Sequence, residues 1–416
     1  MLSNRSVLKE INTVNDFLEI YEDSIRIDNK NLLNAEFELI VDRLSQKISP
    51  ILEKAELNDA NEIVQIFKEV YHGKYPYKVM ESEEEVRNMI NNPKYEWILF
   101  KVGINNIVGC VLAELNFKKK MGIMHGFIVR KQYQKIIDAL MACIGSITYF
   151  WKTYKDKIMV WSAEVRTNDT APQYCGLMCG IKPIAFFPNK DIFVEKVESD
   201  LMIIAYDEKV VKELRSKEEP RIIRQTLNCY VYTNKRYDLG TPYVENPDIK
   251  YDLKYLDEIK HKIESKVQED VFGCETITFS IKNTNSYFKF VYNPYSKNIE
   301  KTKYNVNSLE ELYVFLERVK QLIQEYNANF FQCFVSAYNP IHQKIFHDAG
   351  FNPMGYIPCW KYKYEENLFE DRIVFGYYRG NIDKEMKLIP EASELLKELN
   401  IMREDLFPEV LKAIRS

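Results

Sequence analysis

Three titratable side chains stand among apolar residues in segments that are predicted to be strands. Glu114 and His125 lie in two successive apolar runs, and Glu164 lies in a third run further along the chain. Burying a carboxylate without a partner is costly and raises its pKa toward neutrality, which suits it to accept a proton from a reacting group. Because side chains alternate along a strand, each of the three could equally face solvent. Glu114 is the first candidate for a general base, and His125 is the second.

The segment Phe127–Met141, FIVRKQYQKIIDALM, runs from an apolar strand into a helix. It resembles the strand, pyrophosphate loop and long helix of the GNAT superfamily of acetyl-CoA-dependent N-acyltransferases, whose loop carries the signature Q/R-x-x-G-x-G/A. Such a loop binds an anion because backbone N–H groups at a helix N-terminus point at the pyrophosphate and the helix dipole adds attraction. The resemblance implies that acetyl-CoA or another acyl-CoA binds at Phe127, Ile128, Val129, Gln134, Lys135, Ile137, Asp138 and Ala139.

The loop departs from the signature at its glycines. Gln134 occupies the Q/R position and Ala139 the last position, but Ile137 stands where the family has its first glycine. The other possible register begins at Gln132 and replaces both glycines, with Lys135 and Ile137. Lys135 would add a cation beside the phosphates. We predict that the loop begins at Gln134 and that its backbone N–H groups stay available despite Ile137.

A second stretch, Ala163–Asn189, resembles the later strand, helix and strand of the same superfamily. In many members a Tyr on this helix, four residues before a capping Gly, gives a proton to the departing thiolate of coenzyme A. Here that position is Gly176, so the resemblance gives the role to Tyr174, for which packing is the alternative. The aromatic run Tyr71–Tyr77 stands where the superfamily builds its acceptor wall, and a packed turn is the alternative account.

The elements that must position these residues follow from local patterns. Two helices are predicted, Ala60–Val70 after a capping box of Asp59 and Glu62, and Glu83–Ile90 after Ser82 and Glu85. Three apolar runs then form an antiparallel meander: Trp97–Val102, Ile107–Leu115 and Ile123–Val129. An α+β domain is completed by Lys135–Tyr154 (helix), Ile158–Val165 (strand), Ala171–Met178 (helix), Lys182–Phe187 (strand) and Leu201–Tyr206 (strand).

Part of this pattern recurs 170 residues later. QYCGLMCGIKPIAFFP from Gln173 aligns without a gap on QKIFHDAGFNPMGYIP from Gln343. A repeat that keeps helix, Gly and Pro in step indicates a duplicated domain, with coincidence as the alternative. The predicted architecture is therefore α+β, two tandem GNAT-like mixed-sheet domains with an N-terminal helical extension. Its parts are a helical extension (1–50), a GNAT-like domain (51–206), a solvated linker (207–225) and a second, divergent GNAT-like domain with a C-terminal helix (226–416).

The second copy lacks a phosphate loop. At the matching helix start, Ser308 and Glu311 form a capping box that satisfies the helix N-terminus. Glu310 and Glu311 also place negative charge where a pyrophosphate would have to lie. We therefore expect no cofactor in the second copy.

Composition limits the partners. The 416 residues carry a net charge of -4 without a basic block, so nucleic acid is not an expected partner. The first twenty residues have no apolar signal core and no later stretch is long and apolar enough to span a bilayer, which predicts a cytoplasmic protein without a membrane partner. Cys175 and Cys179 share a helix face but lack a second ligand pair, so no metal is expected.

Two functions stay open. The leading hypothesis is an acyl-CoA-dependent N-acyltransferase, above all an acetyltransferase, acting on an amine of a small metabolite or a protein, with Glu114, His125 and Tyr174 as catalytic residues. The alternative is a catalytically inactive GNAT-fold protein, for ligand binding or assembly, in which Ile137 has closed the phosphate site. Fold alone does not distinguish the two functions. The loop from Gln134 to Ala139 distinguishes them, because the enzyme requires it to be open to a phosphate and the alternative has it closed.

Overall fold

The structure, a computed structural model, describes residues 11–27, 32–35, 47–103 and 106–399. The chain forms two compact units, each built from interleaved segments. The first unit consists of Met1–Glu164, Ala171–Lys182 and Ile203–Glu213, and the second of Val165–Thr170, Pro183–Met202 and Leu214–Ser416. This division reflects proximity in space, so the domain limits expected from the repeat stay predictions. Among the described residues, no helix is both long enough and apolar enough to cross a membrane.

The N-terminal segment is only partly helical. Helix α1, Val14–Tyr21, begins with a reciprocal capping box in which the Thr13 hydroxyl and the Asp16 carboxylate each accept a backbone N–H. The prediction of a helical extension is wrong for β1 (Ile25–Ile27) and β2 (Leu32–Ala35), which form an antiparallel pair. Strand β1 has the sequence IRI, and its two β-branched residues favour extended backbone. The predicted helical positions Leu8, Phe37, Ile40, Val41 and Leu44 lie outside the described residues.

The first unit contains the predicted helix pair and meander. Its next elements are β3 (Ile51–Lys54), α2 (Ala60–Tyr71), α3 (Glu83–Ile90), β4 (Tyr95–Val102), β5 (Asn106–Asn116) and β6 (Met121–Val129). The strands from β3 to β6 pair antiparallel in chain order, which confirms the meander. Ser82 accepts the Glu85 N–H at the start of α3, as predicted. The box predicted for Asp59 is wrong, because its carboxylate accepts the Glu56 N–H of the preceding turn.

A parallel strand follows the meander after a helical crossover. The elements are α4 (Ala139–Thr153), β7 (Val160–Arg166) and α5 (Ala171–Met178). Strand β7 pairs parallel with β6, and α4 covers one face of the pair through the stacked rings of Phe150 and Trp161. The prediction that α4 begins at Lys135 is wrong, since the helix begins at Ala139 after its N-cap, Asp138.

From Leu214 on, the segment predicted as a solvated linker is part of the second unit. The elements that follow α5 along the chain are β8 (Lys182–Phe193), β9 (Lys196–Tyr206), α6 (Glu208–Lys212), β10 (Arg221–Ile223), α7 (Leu227–Tyr237), β11 (Tyr243–Glu245) and α8 (Leu253–Lys260). The Arg215 guanidinium binds the fully buried Asp371 carboxylate, with Nη2 2.6 Å from Oδ2. The Phe369 N–H donates to the Leu214 carbonyl at 2.7 Å. Charge pairing with a buried partner, which local sequence does not reveal, holds this segment.

The second unit contains a further set of paired strands. Its elements are β12 (Ile263–Glu269), β13 (Glu275–Ile281), β14 (Tyr287–Asn293), β15 (Asn298–Asn305), α9 (Leu309–Glu325), β16 (Phe330–Ser336), α10 (Pro340–Asp348), β17 (Asn352–Lys363), β18 (Leu368–Tyr378) and α11 (Pro390–Glu398). Strands β12 to β15 pair antiparallel, β15 and β16 pair parallel, and β18 lies between β16 and β17. The core between the sheet and α9 is rich in phenylalanine.

Element bounds and backbone kinks recur at the offset seen in the sequence. Strands β7 and β16, and also β8 and β17, begin and end 170 residues apart. Gly180 and Gly350 share a left-handed backbone, with φ of 77° and 93°. The non-glycine residues Asn189 and Cys359 share one too, with φ of 53° and 55°. Left-handed backbone is uncommon outside glycine. Asn189 and Cys359 therefore share, at the offset of the sequence repeat, a conformation that few non-glycine residues adopt.

Candidate functional site

Strands β6 and β7 separate part-way along their length. Their parallel pairing runs from Met121 with Val160 to Met124 with Ala163, and both strands continue beyond it. At the point of separation Gly126 has a φ of 66°, and the register between β5 and β6 shifts. Separation frees the facing backbone groups of the two strands from each other. An extended ligand could meet main-chain donors and acceptors at this opening.

An aromatic cluster covers one side of the first unit near this opening. We define the aromatic face as the rings of Phe67, Tyr71, Tyr75, Tyr77 and Trp97. Ring centroids are 4.6 Å apart for Tyr71 and Tyr75, and 5.0 Å for Phe67 and Tyr75. Tyr75 is buried, whereas Tyr71 and Tyr77 are half-buried. The run Tyr71–Tyr77 is thus a packed turn in which Tyr71 and Tyr77 keep part of their surface exposed.

Glu114 and His125 lie on the sheet face that carries this cluster. Trp97 of β4 is opposite Leu112 of β5, which is opposite His125 of β6. Residues opposite each other in antiparallel strands point to one face, and Glu114 follows Leu112 by two positions. Both candidates are half-buried. Burial first, and then the nearby Glu114 carboxylate, raises the pKa of the Tyr95 hydroxyl.

The other two candidates are more exposed. Tyr174 of α5 is 47% exposed, and Glu164 of β7 is exposed. A side chain at Gly176, where the resemblance expects Tyr, would bring its Cβ to 2.7 Å from Ile203 Cδ1. Two residues correspond to about 200° around a helix, so Tyr174 points away from the Gly176 side of α5. The catalytic roles of Glu114, His125 and Tyr174 stay predictions.

The loop between β6 and α4 is closed by backbone hydrogen bonds. The N–H groups of Ile136 and Ile137 both donate to the Tyr133 carbonyl, each at 2.9 Å. The Asp138 N–H donates to the Ile48 carbonyl at 2.8 Å, and the Ile48 N–H donates to Ile136 at 2.9 Å. Ile137 is fully buried. The expectation that the loop's N–H groups stay available is therefore wrong for three successive residues.

The N-terminus of α4 is occupied by the chain's own carboxylate. Asp138 Oδ1 accepts the N–H groups of Leu140 and Met141, at 3.1 and 3.2 Å, and the residue is 7% exposed. A carboxylate there is favoured by the helix dipole and repels a second anion. The residues present at this terminus do not fit the pyrophosphate of an acyl-CoA. Asp at an N-cap position was the signal that sequence reasoning passed over in assigning Asp138 to the cofactor.

Arg130, just before the loop, already has protein partners. Arg130 binds Glu62 and Glu69 of α2 and donates from Nε to the Ile107 carbonyl at 3.1 Å. Of the other residues assigned to a cofactor, Gln134 donates to the Val129 carbonyl at 3.0 Å, whereas Lys135 and Phe127 are exposed and Ile128 is buried. Arg130 was missed in the sequence, where no local pattern links it to α2.

The matching helix start in the second unit is also occupied by the chain's own side chains. Glu311 Oε2 accepts from Ser286 Oγ at 2.6 Å, from the Asn307 N–H at 2.6 Å and from the Ser308 N–H at 3.3 Å. The Ser308 hydroxyl accepts the Glu311 N–H in return, which confirms the capping box. Glu311 is 1% exposed, and Glu310 accepts the Asp252 N–H at 2.9 Å. The box leaves neither the Ser308 N–H nor the Glu311 N–H for a phosphate.

No protein-family model matches the chain, and no curated protein matches it. Among solved structures, a dodecameric spermidine N-acetyltransferase from Vibrio cholerae is 13% identical, with 38% of this chain and 94% of that chain covered and a TM-score of 0.32. A ribosomal-protein-S5-alanine acetyltransferase from Vibrio fischeri is 12% identical, with 40% and 98% covered and a TM-score of 0.33. A GNAT-family acetyltransferase from Streptococcus pneumoniae is 15% identical, with 38% and 99% covered and a TM-score of 0.32. At these identities and TM-scores the likeness assigns neither activity nor ligand to this chain.

Proposed function

We propose that the chain is a GNAT-like ligand-binding protein that recognises an amine at the aromatic face of its first unit and does not hold acyl-CoA at its helix N-termini. One observation carries the proposal. Asp138 at α4 and Glu311 at α9 occupy the positions at which the resemblance expects a pyrophosphate. The proposal corresponds to the second of the two functions left open by the sequence, the catalytically inactive GNAT-fold protein for ligand binding. The loop from Gln134 to Ala139 was the feature expected to distinguish it from an acyltransferase.

The energetics follow from the bonds that an incoming phosphate would break. Hydrogen bonds to a charged acceptor contribute about 1.5–3 kcal/mol each, and Asp138 accepts two of them. A displaced Asp138 would leave a carboxylate beside the anion that displaced it, and like charges repel. Glu311 presents the same obstacle in the second unit, with three bonds to its Oε2.

The proposal includes the duplication. The recurrence of strand bounds and of two left-handed kinks at one offset supports two copies of one fold, over 51–206 and 226–416. Both copies would then lack an open phosphate site, and not only the more divergent second copy.

The ligand class follows from the aromatic face. Ring faces attract a cation, and Glu114 adds a carboxylate on the same side of the sheet. A primary or secondary amine is protonated at neutral pH, so rings and carboxylate would both act on it. Half-buried Tyr71 and Tyr77 leave ring surface for that contact.

Calorimetry with coenzyme A, acetyl-CoA and a panel of small amines tests the proposal. We expect an amine to bind, Glu114→Gln to weaken it at least tenfold, and neither coenzyme to give heat. Glu84→Gln, at an exposed position of α3 in the same unit, is the matched control. Binding of acetyl-CoA by the unaltered protein would overturn the proposal.

A second candidate is the acyl-CoA-dependent N-acyltransferase. The separation of β6 from β7 beside His125 favours it, because the opening lies next to both candidate bases. Glu114 or His125 would accept the proton of the attacking amine, and Tyr174 would have the role that the resemblance implies. Release of free thiol from acetyl-CoA in the presence of a bound amine would select this candidate over the first.

A further inference from the structure

A group of charged and amide side chains is buried inside the second unit. We call it the polar cluster: Lys190 and Asp191 of β8, Asn298 and Glu300 of β15, and Gln332 of β16. Their exposed fractions are 1%, 2%, 0%, 8% and 7%. Burying charges is costly unless they are paired, so such a group calls for a reason.

Direct contacts join the strands of the cluster. Lys190 Nζ lies 3.4 Å from Glu300 Oε2 and 5.2 Å from the centre of the Phe187 ring. Asn298 Nδ2 donates to Asp191 Oδ1 at 2.8 Å. Two neighbouring residues of β8 thus each bind one residue of β15.

The cluster lies where β15 and β16 separate. Their parallel pairing consists of Asn298 with Phe330 and Ile299 with Phe331. Gln332 follows Phe330 by two positions, as Glu300 follows Asn298, so all of these side chains point to one face. The amide of Gln332 therefore enters the cluster beside Glu300.

Three buried oxygens of this region have no hydrogen-bond partner among the described residues: Asn298 Oδ1, Gln332 Oε1 and Ser296 Oγ. Ser296 is fully buried and precedes Asn298 by two positions. The Asn298 amide cannot be the other way round, because the Asp191 carboxylate only accepts. Its oxygen therefore needs a donor or a cation.

We propose that the polar cluster binds a small monovalent cation, such as potassium, sodium or ammonium. The oxygens without a partner belong to neutral amide and hydroxyl groups, and the cluster already contains the Lys190 ammonium, which favours a singly charged ion over a divalent one. Amide, hydroxyl and carboxylate oxygens are the ligands of hard cations. Among the described residues, no group of three acidic, His or Cys side chains is placed to hold a metal ion, which also disfavours a divalent site.

Thermal unfolding of the full chain in four chloride salts at equal ionic strength tests this site. We expect a higher Tm in potassium, sodium or ammonium chloride than in tetramethylammonium chloride, whose cation is too large to enter. The difference should saturate with cation concentration, as binding to the folded state alone requires. The ranking of the three small cations identifies the ion. Equal Tm values in all four salts, as for sites filled by water, would overturn the proposal.

A single substitution should change the Tm in opposite directions, depending on whether or not the polar cluster holds a cation. Gln332→Met keeps the length of the side chain and removes its oxygen. With a bound cation it should abolish the difference between salts and lower the Tm in the stabilising salt. Without one it should raise the Tm equally in every salt, because an unpaired buried polar group has been removed. Gln324→Met, at an exposed position of α9, is the control and should leave the salt dependence intact.

Discussion

The N-termini of α4 and α9 satisfy the same need by different means. At α4 a single N-cap aspartate, Asp138, takes two backbone donors. At α9 a glutamate three residues inside the cap, Glu311, takes two backbone donors and the Ser286 hydroxyl. Different side chains at different positions thus satisfy the backbone donors around a helix start. Whether such a terminus can bind an anion has to be judged from its donors, and not from the surrounding strand and helix alone.

The largest expected effect is a loss of stability on substitution of Glu311, at the start of α9. Glu311→Ala should destabilise the second unit by about 4 kcal/mol, since two N–H groups and the hydroxyls of Ser286 and Tyr255 lose a charged acceptor. Urea unfolding followed by hydrogen exchange of α9 amides would measure it. Glu311→Gln keeps the shape and an acceptor and should cost about half as much. Equal losses for the two variants would mean that packing, and not the carboxylate, holds this terminus.

The next largest effect is a difference in acid sensitivity between the two units. Burial lowers the pKa of His342, on α10 of the second unit, from 6.5 to about 4. The unfolded chain therefore binds a proton more readily, so stability is full above pH 6.5 and falls as the pH drops toward 4, by about 3 kcal/mol. The position 170 residues earlier is Pro172, which does not titrate. His342→Gln should flatten this part of the pH profile, and an unchanged profile would assign the acid sensitivity to other groups.

A smaller effect is expected at α4. Asp138→Ala should cost about 1–2 kcal/mol, as for the loss of an N-cap, and Asp138→Asn much less because Asn also caps. The Asn variant removes the negative charge while keeping the cap. If charge alone excludes phosphate, coenzyme A should bind this variant measurably in calorimetry. Continued absence of binding would place the obstacle in the closed loop around Ile137.

The smallest effect is expected at Tyr174. Tyr174→Phe removes one hydroxyl from a half-exposed helix position, so stability should change by less than about 0.5 kcal/mol. Amine binding at the aromatic face should also be unchanged. A loss of turnover in a thiol-release assay, with unchanged melting, would instead favour the acyltransferase candidate.

Local patterns predicted the parts of the molecule that local forces form. Ser308 and Glu311 are close in sequence, so their capping box could be recognised, as could α3 after Ser82. The start of α4 could not, because the partner of its loop is Ile48, far away in the chain. Tertiary contacts of this kind override local preference.

The same limit applies to the polar cluster. Strand β8 was predicted to end at Phe187, ahead of the polar residues Asn189, Lys190 and Asp191. The strand continues to Phe193, since Glu300 and Asn298 neutralise and bind those polar side chains. Glu300 and Asn298 lie more than a hundred residues away in the chain. No window of sequence around β8 contains the residues that make it a strand.

The bonds between Ile48 and the loop also bear on the order in which the chain folds. They connect residues about ninety positions apart, so they can form only after a long stretch of chain has closed on itself, which is slow and entropically unfavourable. The Asp138 cap needs only its own helix turn and forms as soon as α4 does. On a ribosome, α4 would thus emerge with its terminus already neutralised. The loop bonds to Ile48 would be completed later, beside a helix terminus that Asp138 already caps.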